Sequence, residues 1–114
     1  MRIVVMPGDG IGPEITGATL QVLKTASDRC GLGLTYESHE IGLAPLERIG
    51  TTLPDGVMAA AERADGILLG PVSHNEYPSR AQGGINVSGE CRIVFDLYAN
   101  IRPSRSRAGL PHWG

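Results

Sequence analysis

The residues of this sequence best suited to chemistry are two arginines ten positions apart, Arg92 and Arg102. A guanidinium presents a planar fork of N–H donors that binds a carboxylate through two parallel hydrogen bonds. Two such forks converging on one cleft, one from a helix and one from the strand after it, would hold a dicarboxylate. Either arginine taken alone is better explained as an ordinary surface charge.

Two small polar residues, Asn86 and Ser88, lie just before Arg92. The pattern of residues 86–95 predicts a short helix, on which Ser88 and Arg92 are four positions apart and share one face. The hydroxyl and the guanidinium are therefore expected on the same side of this helix.

Two loops are further candidates. Residues 6–14, with the sequence Met-Pro-Gly-Asp-Gly-Ile-Gly-Pro-Glu, follow an apolar run and open a helical pattern. Their Gly-x-Gly-x-Gly spacing is not the dinucleotide fingerprint, and Pro13 removes a backbone donor where a pyrophosphate would sit. A tight strand-to-helix turn explains these glycines without a ligand. Residues 70–75 contain Ser73, His74 and Asn75, which offer hydroxyl, imidazole and amide groups to a ligand or simply to solvent.

The elements that position these groups follow from hydrophobic periodicity. Strands are predicted over residues 3–6, 32–41, 67–69 and 97–101, and helices from Pro13 to Cys30 and over residues 44–49, 54–64 and 86–95. The first helix has an apolar face formed by Ile15, Ala18, Val22, Ala26 and Cys30. Strands that alternate with helices predict an α/β fold with a parallel sheet, whose ligands lie at the carboxyl ends of its strands. We expect one α/β segment over residues 1–103 and a tail or linker over residues 104–114.

The composition narrows the class of protein. The chain has 114 residues, a net charge of −2 and 41% hydrophobic residues, so neither nucleic acid nor an anionic membrane surface is an expected partner. No apolar run approaches the roughly 20 residues of a membrane span. Cys30 and Cys91 lack metal-binding or redox spacing, which is typical of a reduced, cytoplasmic protein.

Residues 6–14 and residues 96–103, Asp-Leu-Tyr-Ala-Asn-Ile-Arg-Pro, appear in an order that resembles the N-terminal part of the isocitrate/isopropylmalate dehydrogenase family. These are metal-dependent β-decarboxylating dehydrogenases, and the resemblance covers about residues 1–110 of this chain. It implies the N-terminal part of a larger α/β domain, NAD or NADP as cofactor, Mg²⁺ or Mn²⁺ as metal, and a homodimer for the full-length form.

The resemblance also implies roles for individual residues. Arg92 and Arg102 match positions that grip the carboxylates of a malate-type substrate, and Asn86 and Ser88 match positions that face its distinguishing substituent. Cofactor contacts are implied for Ile11, Ser73 and His74. A pocket built to hydrogen-bond a substituent rejects an apolar analogue. The polar pair therefore predicts a substrate such as isocitrate, tartrate or malate and disfavours an isopropyl group.

The catalytic base, the catalytic acid and the metal ligands of the family cannot be assigned in this sequence. Lys24 does not match the base, and Asp9, Asp55, Asp65 and Asp96 do not match the metal ligands. The sequence therefore predicts the N-terminal part of an NAD(P)- and Mg²⁺/Mn²⁺-dependent dehydrogenase that oxidises, and usually decarboxylates, a 2-hydroxy dicarboxylate. The 114-residue chain alone is expected to be inactive. The alternative is a non-catalytic module that binds a carboxylate or a nucleotide.

Overall fold

The computed structural model describes residues 1–106 and 108–109, which contain a parallel three-stranded sheet. The strands are β1 (Arg2–Met6), β2 (Thr35–Ser38) and β3 (Gly66–Leu69), in the order β2-β1-β3. In the register, Val4 of the central strand pairs with Glu37 on one side and with Ile67 on the other. The predicted α/β class with a parallel sheet is confirmed.

Four α-helices accompany the sheet within the described residues, close to the predicted positions. They are α1 (Gly12–Cys30), α2 (Leu43–Ile49), α3 (Val57–Glu62) and α4 (Val87–Val94), with 3₁₀ turns at His74–Glu76 and Arg80–Gln82. None of the helices in this part of the chain is long and apolar enough to cross a membrane.

The core lies on one face of the sheet. Val4 and Met6 point to this face because alternate residues of a strand share a side, and both are completely buried. Helices α3 and α4 cover them, and the cluster is completed by Ile41, Val57, Ala60, Ala61, Val87 and Cys91. Because α4 contributes to this core, the position of its polar residues is tied to the sheet.

Helix α1 starts and ends as its sequence predicts, but it buries a different face. Pro13 lies in its first turn, and Gly31 ends it in a left-handed conformation with φ of 63°. The predicted apolar face, formed by Ile15, Ala18, Val22, Ala26 and Cys30, is exposed. Gly12 and Thr16 are buried instead. Small residues are needed there because a Cβ on Gly12 would lie 2.1 Å from the carbonyl oxygen of Pro7.

The predicted fourth strand, over residues 97–101, is wrong. Helix α4 ends in a turn in which Asp96 has φ of 47° and the N–H of Leu97 donates to the carbonyl of Arg92 at 3.1 Å. The chain then runs exposed, and no described strand pairs with it. A strand pattern needs a neighbouring backbone to form a ladder, and this stretch has none among the described residues.

The predicted tail, over residues 104–114, lies partly outside the described residues. Residues 104–106 and 108–109 are exposed and contain no helix or strand, while residue 107 and residues 110–114 are not among those described. The boundary at residue 103 stays a prediction.

Candidate functional site

The carboxyl edge of the sheet holds the two loops proposed to contact a cofactor. The chain passes from β1 outward to β2 and then crosses back to β3 on the other side of β1. In such sheets ligands bind outside the carboxyl ends of the strands, where the strand order reverses. The glycine loop (residues 7–12) leaves β1 there, and the β3 loop (residues 70–77) leaves β3 beside it.

The two loops touch through their backbones. The N–H of Asp9 donates to the carbonyl of Pro71 at 2.8 Å. A Cβ on Gly8, whose φ is 76°, would lie 2.1 Å from that same carbonyl oxygen. The glycine loop is therefore explained by close packing against the β3 loop, in agreement with the ligand-free explanation of its glycines.

Asp9 lies at the centre of this edge, although the sequence analysis assigned it no role. It is buried, at 6% exposure, and its carboxylate accepts hydrogen bonds from the N–H of Leu43 at 2.7 Å and the N–H of Ser73 at 2.9 Å. The hydroxyl of Tyr77 donates to the same carboxylate. Burial and this hydrogen bond raise the pKa of the Tyr77 phenol. The signal available in the sequence was an aspartate between two glycines of a tight turn.

The structure brings the three predicted cofactor residues to this edge. Ile11 precedes α1 with its side chain 60% exposed. Ser73 is half-buried and its N–H donates to Asp9, and His74 is exposed at the start of its 3₁₀ turn. The two loops that leave β1 and β3 at this edge therefore carry an apolar side chain, a hydroxyl and an imidazole.

The predicted substrate residues centre on α4. Asn86 caps this helix, since its amide oxygen accepts from the N–H of Gly89 at 3.2 Å. The cap uses the oxygen of the amide and does not involve its NH₂ group. The guanidinium Nε of Arg92 folds back along the helix and donates to the carbonyl of Ser88 at 3.3 Å.

A pocket of about 250 Å³ lies beside α4. Ser88 and Arg92 line it together, as their spacing predicted, and Ile67 and Leu69 of β3 form an apolar wall. The stretch that follows α4, up to Ile101, closes another side. Arg102 comes next in the chain and is exposed, but neither it nor Asn86 is among the lining residues.

An ion pair fixes α4 to the polar segment before it. Both terminal nitrogens of Arg80 donate to the carboxylate of Glu90, each at 2.9 Å. These hydrogen bonds lower the pKa of the Glu90 carboxyl. Thr52 anchors the same segment from the other side, because its buried hydroxyl donates to the carbonyl of Ile85 and accepts from the Ile85 N–H, each at 2.7 Å. The pocket residues of α4 are thus held by polar contacts as well as by the core.

The family profile described as isocitrate/isopropylmalate dehydrogenase matches residues 2–111. The chain belongs to this family. The resemblance seen in residues 6–14 and 96–103 is therefore confirmed, as is its restriction to the N-terminal portion of the isocitrate/isopropylmalate dehydrogenases.

Individual members of the family agree with this assignment. The chain is 38% identical over 115 residues to a 3-isopropylmalate dehydrogenase of Heyndrickxia coagulans, a match that covers 96% of this chain and 31% of the relative. It is 37% identical over 105 residues to the 3-isopropylmalate dehydrogenase of Halalkalibacterium halodurans, covering 90% of this chain and 29% of the relative. The chain therefore spans about 30% of the length of the relatives that it matches.

Solved structures of the family have the same fold. A β-decarboxylating dehydrogenase of Thermococcus kodakarensis superposes with a TM-score of 0.67 at 28% identity, covering 85% of this chain and 27% of that structure. The isocitrate dehydrogenase of Methylococcus capsulatus gives a TM-score of 0.56 at 30% identity over 63% of this chain and 20% of that structure.

Proposed function

We propose that this chain is the N-terminal portion of a dehydrogenase that oxidises, and in most relatives decarboxylates, a malate-type 2-hydroxy dicarboxylate with NAD or NADP. Family membership over residues 2–111 is the observation that carries the proposal. The placement of Ser88 and Arg92 on the wall of one pocket supports it. We further propose that the full-length protein is a cytoplasmic homodimer.

Within this proposal residues on α4, at its cap and after it bind and orient the substrate. Arg92 and Arg102 each take a carboxylate through a two-pronged hydrogen bond. The hydroxyl of Ser88 and the amide NH₂ of Asn86 receive the substituent that distinguishes one hydroxy acid from another. This chain therefore contributes recognition of the substrate, and no residue of it is assigned a proton-transfer role.

The donor set of the two loops fits a nicotinamide cofactor, which when bound accepts a hydride from the hydroxyl-bearing carbon. Ile11 offers apolar contact, and Ser73 and His74 offer hydrogen bonds to a ribose or an amide. Metal binding does not fit this chain in the same way, because its described residues include no cluster of three or more His, Cys, Asp or Glu side chains. We therefore propose that the Mg²⁺ or Mn²⁺ ligands come from outside it.

There are two candidate classes of hydroxy acid substrate. Asn86 and Ser88 favour a polar or small substituent, because an apolar group would leave their hydrogen-bonding atoms unpaired. A 3-isopropylmalate-type substrate is the second candidate. It is favoured by the names of the relatives and by the apolar wall that Ile67 and Leu69 form beside Ser88.

The proposal is tested by assaying nicotinamide reduction with the natural gene product that contains this chain. Malate, tartrate, isocitrate and 3-isopropylmalate would each be supplied with both cofactors and with Mg²⁺ or Mn²⁺. Turnover of a polar-substituted acid is expected, whereas turnover of 3-isopropylmalate alone would establish the second candidate. Saturable binding of an acid or a nucleotide with no turnover would establish a non-catalytic module instead.

The 114-residue chain should be assayed beside that gene product. We expect no nicotinamide reduction by the chain alone, because the family's base, acid and metal ligands are not assigned within it. Turnover at a rate comparable with that of the gene product would show that these groups lie in the chain and that the role assignment is wrong.

A further inference from the structure

The carboxylate of Asp9 gathers three parts of the chain around one buried point. Its Oδ1 accepts from Leu43, the first residue of α2, at 2.7 Å. Its Oδ2 accepts from the N–H of Ser73 at 2.9 Å and from the hydroxyl of Tyr77. A carboxylate that is only 6% exposed must have its oxygens satisfied by such donors, because an unpaired buried charge is costly.

The arrangement at Oδ2 closes a small loop. Ser73 and Tyr77 flank the 3₁₀ turn His74–Glu76, and both bind the same oxygen atom. The turn that carries His74 is therefore tied at both ends to the glycine loop that carries Ile11. The backbone of Asp9 is also held in place, because its N–H donates to the carbonyl of Pro71 at 2.8 Å.

Tyr77 belongs to this cluster but lies outside the hydrophobic core. It is half-buried, and it is absent from the hydrophobic core formed between β1, α3 and α4. Its hydroxyl makes the only side-chain hydrogen bond to Asp9 among the described residues, the other donors being backbone groups. Removing that hydroxyl should free one end of the turn while leaving the core and the sheet in place.

We propose that Tyr77 is a positioning residue for cofactor binding, whose hydroxyl holds Ser73 and His74 in place through Asp9. This inference rests on the proposed function, because it assumes that these two residues face the nicotinamide cofactor. Tyr77 does not touch the cofactor, and it acts by limiting the conformations of the turn. Its loss should therefore weaken cofactor binding more than it slows the chemical step.

The test compares Tyr77→Phe with Tyr36→Phe. Tyr36 lies on β2 and is also half-buried, and its hydroxyl has no hydrogen-bond partner among the described residues, so it controls for loss of a tyrosine hydroxyl. Hydrogen exchange of the Ser73 amide would be measured in both variants of the 114-residue chain and of the natural gene product. We expect exchange about tenfold faster in Tyr77→Phe, in line with the loss of one hydrogen bond to a charged group, and no change in Tyr36→Phe.

The second readout is the kinetics of the natural gene product. In Tyr77→Phe the KM for the nicotinamide cofactor should rise about tenfold, with the KM for the hydroxy acid and kcat changing less than about threefold. Unchanged exchange at Ser73 would overturn the tie between the turn and Asp9. Faster exchange with an unchanged cofactor KM would overturn the positioning role. So would a loss of thermal stability as large as that of a core variant such as Val4→Ala.

A different result is expected if the proposed function itself is wrong. In that case the unmodified gene product itself would bind no nicotinamide cofactor, whichever residue stands at position 77. That result would overturn the assignment of Ser73 and His74 together with the role of Tyr77. The exchange measurement would still report whether the hydroxyl holds the turn.

Discussion

Thr52 shows how much of this fold depends on single buried polar side chains. Thr52 is completely buried. Its hydroxyl donates to the carbonyl of Ile85 and accepts from the N–H of Ile85, each at 2.7 Å. Its own N–H donates to Gly83 at 2.9 Å. These bonds hold the segment that leads into α4, and hence the pocket residues that α4 carries.

Replacing Thr52 with valine keeps the shape of the side chain and removes both hydroxyl bonds. The N–H and the carbonyl of half-buried Ile85 would then lose these partners, and we expect the free energy of unfolding to fall by about 2–4 kcal/mol. Denaturant unfolding would measure it. Thr19→Val is the matched control, since the Thr19 hydroxyl is exposed and bonds only to the carbonyl of Ile15, so a change within about 0.5 kcal/mol is expected. Equal effects of the two substitutions would contradict this explanation.

Glu90 gives the chain an acid-sensitive contact. Hydrogen bonds from Arg80 lower its folded-state pKa below the ordinary 4.5, although burial opposes this shift. The unfolded state therefore takes up the proton at a higher pH than the folded state does. The stability contributed by the pair is complete above about pH 4.5 and is lost as the pH falls through the folded-state pKa.

Glu90→Gln should remove this dependence. Denaturant unfolding at a series of pH values should show the wild-type chain more stable than the variant at neutral pH, with the difference shrinking below about pH 4.5. Arg80→Ala should give the same pattern, and the double variant should add little because the two residues share one interaction. A difference that stays constant down to the acid limit would refute the assignment.

Among helices and loops, the glycines divide into those that the fold requires and those that it does not. Gly42 directly precedes α2 with φ of 89°, and a Cβ there would lie 2.1 Å from Oδ1 of Asp9. Gly17 lies inside α1, and nothing would come within 4 Å of its added Cβ. The same substitution is therefore expected to act in opposite directions at the two positions.

Gly17→Ala should raise the free energy of unfolding by about 0.5–1 kcal/mol, because alanine loses less backbone entropy in a helix. Gly42→Ala should lower it by at least about 2 kcal/mol, because the backbone is strained there and the Asp9 carboxylate must leave its donors. Thermal or denaturant melts of both variants would measure these changes. Similar values at the two positions would mean that Asp9 does not occupy the space beside Gly42.

The sequence predicted the bounds of the helices better than it predicted which parts of the chain pack against them. The start of α1 is set by local rules and lies at Gly12, one residue before the predicted Pro13, and the predicted end at Cys30, followed by Gly31, is confirmed. Which face of α1 is buried depends on where the backbone of Pro7 passes, and periodicity carries no information about that. The prediction of a fourth strand over residues 97–101 was wrong for the same reason. A strand pattern does not determine whether a neighbouring strand is present to form the backbone hydrogen bonds of a sheet.

In the candidate site too, local spacing could be predicted from the sequence, whereas contacts between distant segments could not. The helical spacing of Ser88 and Arg92 placed them on one face, and both line the same pocket. The cluster around Asp9 could not be predicted, because Leu43, Ser73 and Tyr77 reach it only when three loops meet at the edge of the sheet. Sequence distances of 34, 64 and 68 residues separate these donors from Asp9.

For the chain as a whole, its two cysteines report whether the described core forms in solution. Cys30 is exposed at the end of α1, whereas Cys91 is 7% exposed within the core. Burial also raises the pKa of the Cys91 thiol, which lowers its reactive thiolate fraction.

A disulfide reagent that reports free thiols should therefore react with one cysteine quickly and with the second only as the chain unfolds. Cys30→Ser should abolish the fast phase, and Cys91→Ser should abolish the slow one. Addition of denaturant should merge the two phases. Two equally fast thiols in the native chain would mean that α4 is not packed against β1 and α3.

The measurement that bears most directly on the function is the kcat/KM of the natural gene product for its preferred hydroxy acid in Arg92→Gln and Arg102→Gln. Each substitution removes one guanidinium fork, and we expect kcat/KM to fall about a hundredfold or more, the equivalent of about 2.7 kcal/mol of carboxylate binding. Arg29→Gln, an exposed arginine in the last turn of α1, should leave it within about twofold. Full activity in Arg92→Gln or Arg102→Gln would contradict the assignment of these arginines to the substrate.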